Sequence, residues 1–257
     1  MPFTLAHPLA VVPLRRTPLP FAALAIGAMA PDTGLFVPLP FGIERATTHT
    51  LLAALTLDVV IGAVLWTVWE LLLRRPLADG APPWVRARLD PDQSPWLPRR
   101  AGELARLVLA LAIGSVTHVV WDAFTHIDGW VVERWAPLRQ QVGGMEIWHL
   151  LQWVCGALGF SALVVIAFLA LRRRRPIRRA RVHPWVGPAA VIAPIAAGAL
   201  AAGAVGAAAL GSPAIHTFER GAYYTVRAGI AAAGAVLLTV AALWHLLPAK
   251  APSTIEE

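Results

Sequence analysis

The sequence predicts an all-α, polytopic transmembrane helix bundle of about six spans, or five if the first apolar segment is re-entrant. Three observations carry this. Of 257 residues, 57% are hydrophobic and only 14% charged, against about 25% charged in ordinary globular chains. Apolar stretches recur along the chain at the length needed to cross a hydrocarbon core of roughly 30 Å, about 20 residues in a helix. The arginines gather in the short polar segments between those stretches. The chain therefore reads as one integral membrane domain, 1–257.

The first apolar segment, Leu19 to Ala30, is short and ends at Pro31-Asp32. It is either a minimal span approached through Pro13 to Pro20 or a re-entrant helix. The second, Thr48 to Leu73, is long enough to cross with tilt, carries Asp58 inside it, and is expected to stop at Arg74-Arg75-Pro76. Residues 74–103, rich in proline, arginine and tryptophan (Pro82-Pro83-Trp84, Ser94-Pro95-Trp96), have no sustained apolar period and read as a cytoplasmic interfacial loop. A third span is expected from Leu104 to Ala123, followed by a segment with Trp130 and Trp135 at the headgroup boundary and a Gly143-Gly144 turn. Three more follow at Ile147 to Leu171, Trp185 to Leu210 and Val226 to Leu247, the fifth span rich in alanine and glycine that permit close helix approach.

Orientation comes from the basic loop at 172–184, with arginine at 172, 173, 174, 175, 178, 179 and 181. The positive-inside rule puts it in the cytoplasm. Alternation then places residues 74–106 inside as well, in agreement with their own arginines, and sends His49 and the Thr117 to Gly129 region outside. With a spanning first segment both termini lie in the cytoplasm. The expected location is the inner (plasma) membrane, with the lipid bilayer as the main partner.

The net charge of +7 does not indicate nucleic acid, because the arginines form no amphipathic or aromatic-interleaved surface. Cys155 is the single cysteine, so no intrachain disulfide or thiol cluster is possible, and it reads as a packing residue. Met1 to Arg16 lacks the charged start, apolar core and small-residue cleavage site of a signal peptide, so the N-terminus is expected to be retained. His183, His216 and His245 sit at span ends or short loops and are assigned no chemistry. Tyr223, Tyr224, Trp185 and Trp244 read as interface anchors.

Ionisable residues at membrane depth cost about 2.5–3.5 kcal/mol each on insertion scales, so those that persist are functional candidates. On the third span His118, Asp122 and His126 stand at i, i+4 and i+8, one face of a helix if it continues through Thr125. Histidine and carboxylate at this spacing can give a divalent metal nitrogen and oxygen ligands while leaving a position for water. The plainer reading is a His118–Asp122 hydrogen-bonded pair holding two spans together. Asp32 and His49 reach the same side and favour a site. Asp58 lies nine residues beyond His49, about 180° round a continuous helix and roughly 13 Å along it, and is expected to pair with another span. His7 joins only if the N-terminal stretch folds back as a hairpin. Arg134, Arg139 and Glu146 read as solvated; His149 and Gln152, opening the fourth span, could support the site from behind.

The blocks Met1-Pro2-Phe3-Thr4-Leu5-Ala6-His7-Pro8, Gly27-Ala28-Met29-Ala30-Pro31-Asp32, Thr48-His49-Thr50 and Gly114-Ser115-x-Thr117-His118-x-x-x-Asp122-x-Phe124-Thr125-His126-x-x-Gly129 resemble domain of unknown function 4184, a family of multi-pass bacterial membrane proteins. Through its Pro-Asp, Thr-His and His-x-x-x-Asp blocks that family is distantly similar to inner-membrane proteins described as metal-dependent hydrolases. The resemblance implies a site of Asp32, His49, His118 and Asp122, with His7 and His126 as further candidates. The further carboxylates of a two-metal site are missing.

The expected activity is thus metal-dependent hydrolysis of a lipid-borne or periplasmic ester or phosphoester. A divalent metal such as zinc would be held by Asp32, His49, His118, Asp122 and His7, and Asp122 or His126 would orient or deprotonate the attacking water. A lipid-like or phosphorylated molecule would be the substrate. Two alternatives stand beside it: a proton-coupled transporter in which Asp58, Asp122 and the histidines form a relay, and a non-catalytic scaffold whose polar residues bond helix to helix.

Overall fold

Prolines 8 and 13 have no amide hydrogen to donate, and the chain around them winds into a 3₁₀ helix over Thr4–Arg16. A bend at residues 17–20 then reverses it into the short helix α1, Phe21–Gly27. In the computed structural model, which describes residues 4–89, 96–177, 183–184, 186–210 and 218–248, this hairpin is the answer to the ambiguity of the first apolar segment. At 1.5 Å per residue the seven residues of α1 cover only about 10 Å, too little to cross a bilayer. Residues at both ends of the hairpin meet: Thr4 donates its hydroxyl to Asp32 at 2.5 Å. A 3₁₀ turn at Ala30–Asp32 leads to α2, Thr33–Phe36.

The expected second span is built in pieces. α3 covers Arg45–Thr48, α4 Leu51–Leu55 and α5 Leu57–Val68. Thr50 caps α4 by accepting from the Ala53 amide at 3.0 Å, and Thr56 breaks the helix with φ −132° and ψ −84°. The arginines and Pro76 do not end it. A π turn at Trp69–Leu73 is followed directly by α6, Arg74–Gly80. Pro76 lacks an amide hydrogen and its ring crowds the carbonyl one turn earlier; a wider turn just upstream accommodates both. The supposed loop beyond also holds α7, Pro83–Arg86, where the Arg88 guanidinium lies 4.5 Å from the Trp84 ring centre.

α8 runs from Ala101 to Thr125, 25 residues or about 37 Å. α9, Trp130–Arg134, and a 3₁₀ turn at Ala136–Arg139 follow. A two-residue hairpin pairs β1, Gln141–Val142, with β2, Met145–Glu146. Gly143 and Gly144 turn it at φ +62° and +82°, a pair of left-handed residues that suits a tight hairpin. α10 (Ile147–Arg172), α11 (Val186–Leu210) and α12 (Phe218–Leu246) complete the order. Among the described residues four helical stretches are long and apolar enough to cross a membrane: Ala101–Arg134, Ile147–Arg172, Val186–Ala209 and Gly221–Leu246. The other two expected spans are the short hairpin and the broken α3–α6 series. Ser94, Pro95, Arg178, Arg179, Arg181, Trp185 and His216 lie outside the described residues.

The chain forms two compact units, one of Met1–Trp66 with Leu97–Phe168, the other of Thr67–Trp96 with Leu169–Glu257. In the first, Ala23 and Leu24 of α1 are buried with Leu107, Ala110 and Leu111 of α8. Two glycines set this contact: a Cβ on Gly27 would run into the Leu111 backbone, and one on Gly114 into the Leu24 carbonyl. In the second, Gly198 and Gly229 bring α11 and α12 backbone to backbone, the close approach expected of a small-residue span. There Asp79 accepts from the His183 amide at 3.1 Å and the Trp244 indole at 2.9 Å, so these residues serve packing.

Candidate metal centre

The polar stripe of α8 is a consequence of helical period. His118 and Asp122 are one turn apart, 0% and 5% exposed, and His126 caps the helix. The α1–α8 glycine contact lets α1 present its end to that stripe: Ser115 donates to the Gly27 carbonyl at 3.0 Å, and His118 Nδ1 donates to the Ala28 carbonyl at 2.8 Å. The turn after α1 delivers Asp32, 2% exposed. His49 arrives from the end of α3, where Thr48 donates to the Pro31 carbonyl at 2.9 Å and ties the two segments together.

Asp32, His49, His118 and Asp122 each offer a donor atom, and these four atoms lie within 4.8 Å of one another. His49 Nε2 is 3.3 Å from Asp32 Oδ1, 3.2 Å from Asp122 Oδ2 and 3.2 Å from His118 Nε2. His118 Nε2 is 3.7 Å from Asp32 Oδ1 and 3.5 Å from Asp122 Oδ2. Bonds of about 2.0–2.2 Å to a tetrahedral ion place neighbouring donors roughly 3.3–3.6 Å apart, close to the 3.2–3.7 Å of the five pairs just given. Orientation agrees. His118 Nδ1 faces a carbonyl, and His49 Nδ1 faces the Arg45 carbonyl at 3.1 Å. Each bond places the ring proton on Nδ1 and turns the Nε2 lone pair inward, as in metal-binding histidines held from behind. Two inward lone pairs 3.2 Å apart beside two carboxylates fit a cation between them.

Asp122 is held on both oxygens. Oδ1 lies 3.1 Å from His7 Nε2 and 3.3 Å from His126 Nδ1; Oδ2 accepts from Arg45 at 3.0 Å. His7 also stacks on His118, ring centres 3.9 Å apart. The hairpin therefore brings His7 to the site, at the oxygen of Asp122 that faces away from the four-donor cluster. The Gln152 amide lies 2.7 Å from His126 Nε2.

Several expectations change. Asp58 is 0% exposed, and neither of its carboxylate oxygens has a hydrogen-bond partner among the described residues, so it does not pair with another span. The angle counted from His49 did not apply, because the helix is interrupted at Thr56. His149 accepts from the Trp153 indole at 3.1 Å and stacks on Trp148, leaving Gln152 alone of that pair at the site. Arg134 pairs with Glu133 at the surface and Arg139 donates to the Val132 carbonyl. Arg45 is the residue that sequence reasoning missed. With 27% of its side chain exposed it bridges Asp122 to the exposed Asp128, the latter at 2.7 Å. Its only signal in the sequence is a place one helical turn before His49.

Among curated proteins and among solved structures, nothing matches this chain. A family model does, described as Domain of unknown function (DUF4184), over residues 1–249. The blocks that carry the hairpin, the Pro31-Asp32 turn, the Thr48-His49 junction and the α8 stripe all fall inside that match, and the chain belongs to this family.

Proposed function

We propose that the protein is a metal-dependent hydrolase of a lipid-borne or periplasmic ester or phosphoester, embedded in the inner membrane with its C-terminus in the cytoplasm and, because the N-terminal hairpin does not cross, its N-terminus on the outer side with the site. One observation carries the reading: four donor atoms from three separate segments at mutual distances that suit one ion of the zinc type. A divalent ion there supplies Lewis acidity toward a carbonyl or phosphoryl oxygen and makes water more acidic. Asp32, His49, His118 and Asp122 are its ligands, and His7 with His126 fixes Asp122 through Oδ1.

In the reaction the water oxygen bonds to the ester carbon or phosphorus, and the alcohol leaves. The proton released goes to the His126 ring, whose imidazolium is stabilised by Asp122 Oδ1, 3.3 Å from Nδ1. With 19% of its side chain exposed against 0–9% for His7, His49 and His118, His126 is the histidine that solvent reaches best. Arg45, at the rim and free to exchange Asp128 for another anion, favours a phosphoester over a neutral ester. The arginines at the start of α8 and the end of α10 lie at the opposite ends of those helices from the site, which supports placing the site on the outer side.

Metal analysis of the purified, dialysed protein tests this. About one ion per chain is expected in the wild type and almost none in His118→Ala with Asp122→Ala. Equal, near-zero metal in both would refute it. A proton-coupled carrier is the second reading, favoured by Asp58, a buried carboxyl without a hydrogen-bond partner among the described residues. Asp58→Asn then abolishes transport, whereas the hydrolase reading leaves turnover in place.

A further inference from the structure

The turn that delivers Asp32 is joined to the helix that delivers Arg45 and His49 by an uncharged loop. No side chain from Thr33 to Ile43 carries a charge, and the loop itself is Val37-Pro38-Leu39-Pro40-Phe41-Gly42-Ile43. Phe41 is 98% exposed and Val37 56%. Phe41 and Gly42 turn the chain at φ +60° and +64°, a left-handed conformation that a bulky side chain adopts only at a cost. The backbone suits an apolar solvent. Pro38 and Pro40 have no amide hydrogen, and the Val37 and Ile43 amides donate to the Thr33 and Pro40 carbonyls at 3.0 and 3.4 Å, so few donors are left to lose water.

The Arg45–Asp128 ion pair at 2.7 Å fixes the level of this loop. It ties the end of the loop to the junction of α8 and α9, within one compact unit, and that junction carries Ile127 and Trp130, 61% and 65% exposed. α8 and α9 belong to a stretch long and apolar enough to cross a membrane, and a tryptophan past the end of such a run marks the headgroup level. We propose that residues 37–43 form a lip that inserts into the bilayer leaflet on the site's side, with Phe41 among the acyl chains and the Arg45–Asp128 pair at the headgroups, so that the site takes its substrate from the membrane surface rather than from free solution. The insertion stands on exposure, sequence and backbone; that the adjoining lipid supplies the substrate rests on the hydrolase reading and deepens it. An exposed apolar patch can also be covered by a second protein. Lipid is favoured because the loop offers a partner no charge and almost no hydrogen-bond donor, and because four helices of the same chain have the length and apolarity to lie in a bilayer.

Phe41→Cys in a Cys155→Ala background, labelled with a nitrobenzoxadiazole fluorophore and reconstituted in phosphatidylcholine vesicles, tests the insertion without placing glycine at φ +60°. Gln140→Cys, at an exposed position before the polar β hairpin, is the aqueous control. Phosphatidylcholine with a doxyl group on its acyl chain is expected to quench the label at 41 several-fold more than the label at 140, and aqueous iodide several-fold less. Unfolding midpoints in detergent equal to that of the parent chain show that both labelled proteins are folded. Equal quenching at the two positions overturns the proposal; so does a label at 41 that neither quencher reaches, which means that a protein covers the loop. Phe41→Asp, which puts a charge among the acyl chains, tests the source of substrate. Turnover of a long-chain phosphoester held in vesicles is expected to fall about tenfold or more, and turnover of a soluble short-chain phosphoester to stay unchanged. Equal loss on both removes the membrane as the source. Turnover of neither by the parent chain, with the quenching pattern intact, removes the hydrolase and leaves the lip.

Discussion

Gly114→Ala places one methyl group where α8 touches α1, on a residue that ligates nothing. The added Cβ would stand 2.6 Å from the Ala28 amide nitrogen and 2.8 Å from the Gly27 carbonyl carbon, against an ordinary contact of at least 3.4 Å. Backbone atoms cannot swing aside, and the Leu24 carbonyl oxygen lies closer still, so α1 must retreat by about 1 Å. The same retreat stretches the His118 Nδ1 to Ala28 carbonyl bond from 2.8 Å to about 3.8 Å, where it ceases to be a hydrogen bond. His118 then loses the contact that points Nε2 inward. Loss of such a supporting bond costs about 10–100-fold in metal affinity, and overpacking a helix contact costs about 1–3 kcal/mol in stability. The assay is zinc affinity by competition with a chromophoric chelator, alongside the thermal unfolding midpoint in detergent. Gly234→Ala is the control, since nothing lies within 4 Å of its new methyl group, and it is expected to be neutral or slightly stabilising. Metal affinity in Gly114→Ala equal to that of the control would refute the argument that this helix contact builds the site.

Other outcomes follow from the same geometry. Arg45→Ala is expected to raise KM for a phosphoester about 10–100-fold with a smaller change in kcat, because it removes a charged hydrogen bond to the substrate head; steady-state kinetics on a phosphoester and a neutral ester of equal chain length check this, and equal loss on both contradicts it. His126→Ala is expected to lower kcat by about 10²-fold or more while metal content stays near one per chain, since it removes the proton acceptor and not a ligand. Asp58→Asn is expected to leave hydrolysis within a few-fold of wild type and stability unchanged or improved, because burying an unpaired carboxyl is itself unfavourable; lost turnover would shift the balance toward a proton relay.

Composition and helical period determined the solvent and one face of the site. An excess of apolar residues in recurring long runs gives α8, α10, α11 and α12 the length and apolarity to cross a bilayer. His118, Asp122 and His126 share a face because a helix repeats every 3.6 residues. Both are local properties that a linear sequence displays. Tertiary structure decided the rest, because it depends on where distant segments touch. His7 meets Asp122 across 115 positions of sequence only because the proline-bearing N-terminus folds back with α1 as a hairpin. His49 turns inward because the chain breaks around Thr50 and Thr56, which no count of apolar residues reveals. Arg45 reaches Asp122 because α3 ends against the Pro31 carbonyl. The long apolar runs said that this chain lies in a membrane; two glycines, Gly27 and Gly114, by allowing backbone to touch backbone, decided which of its polar groups meet there.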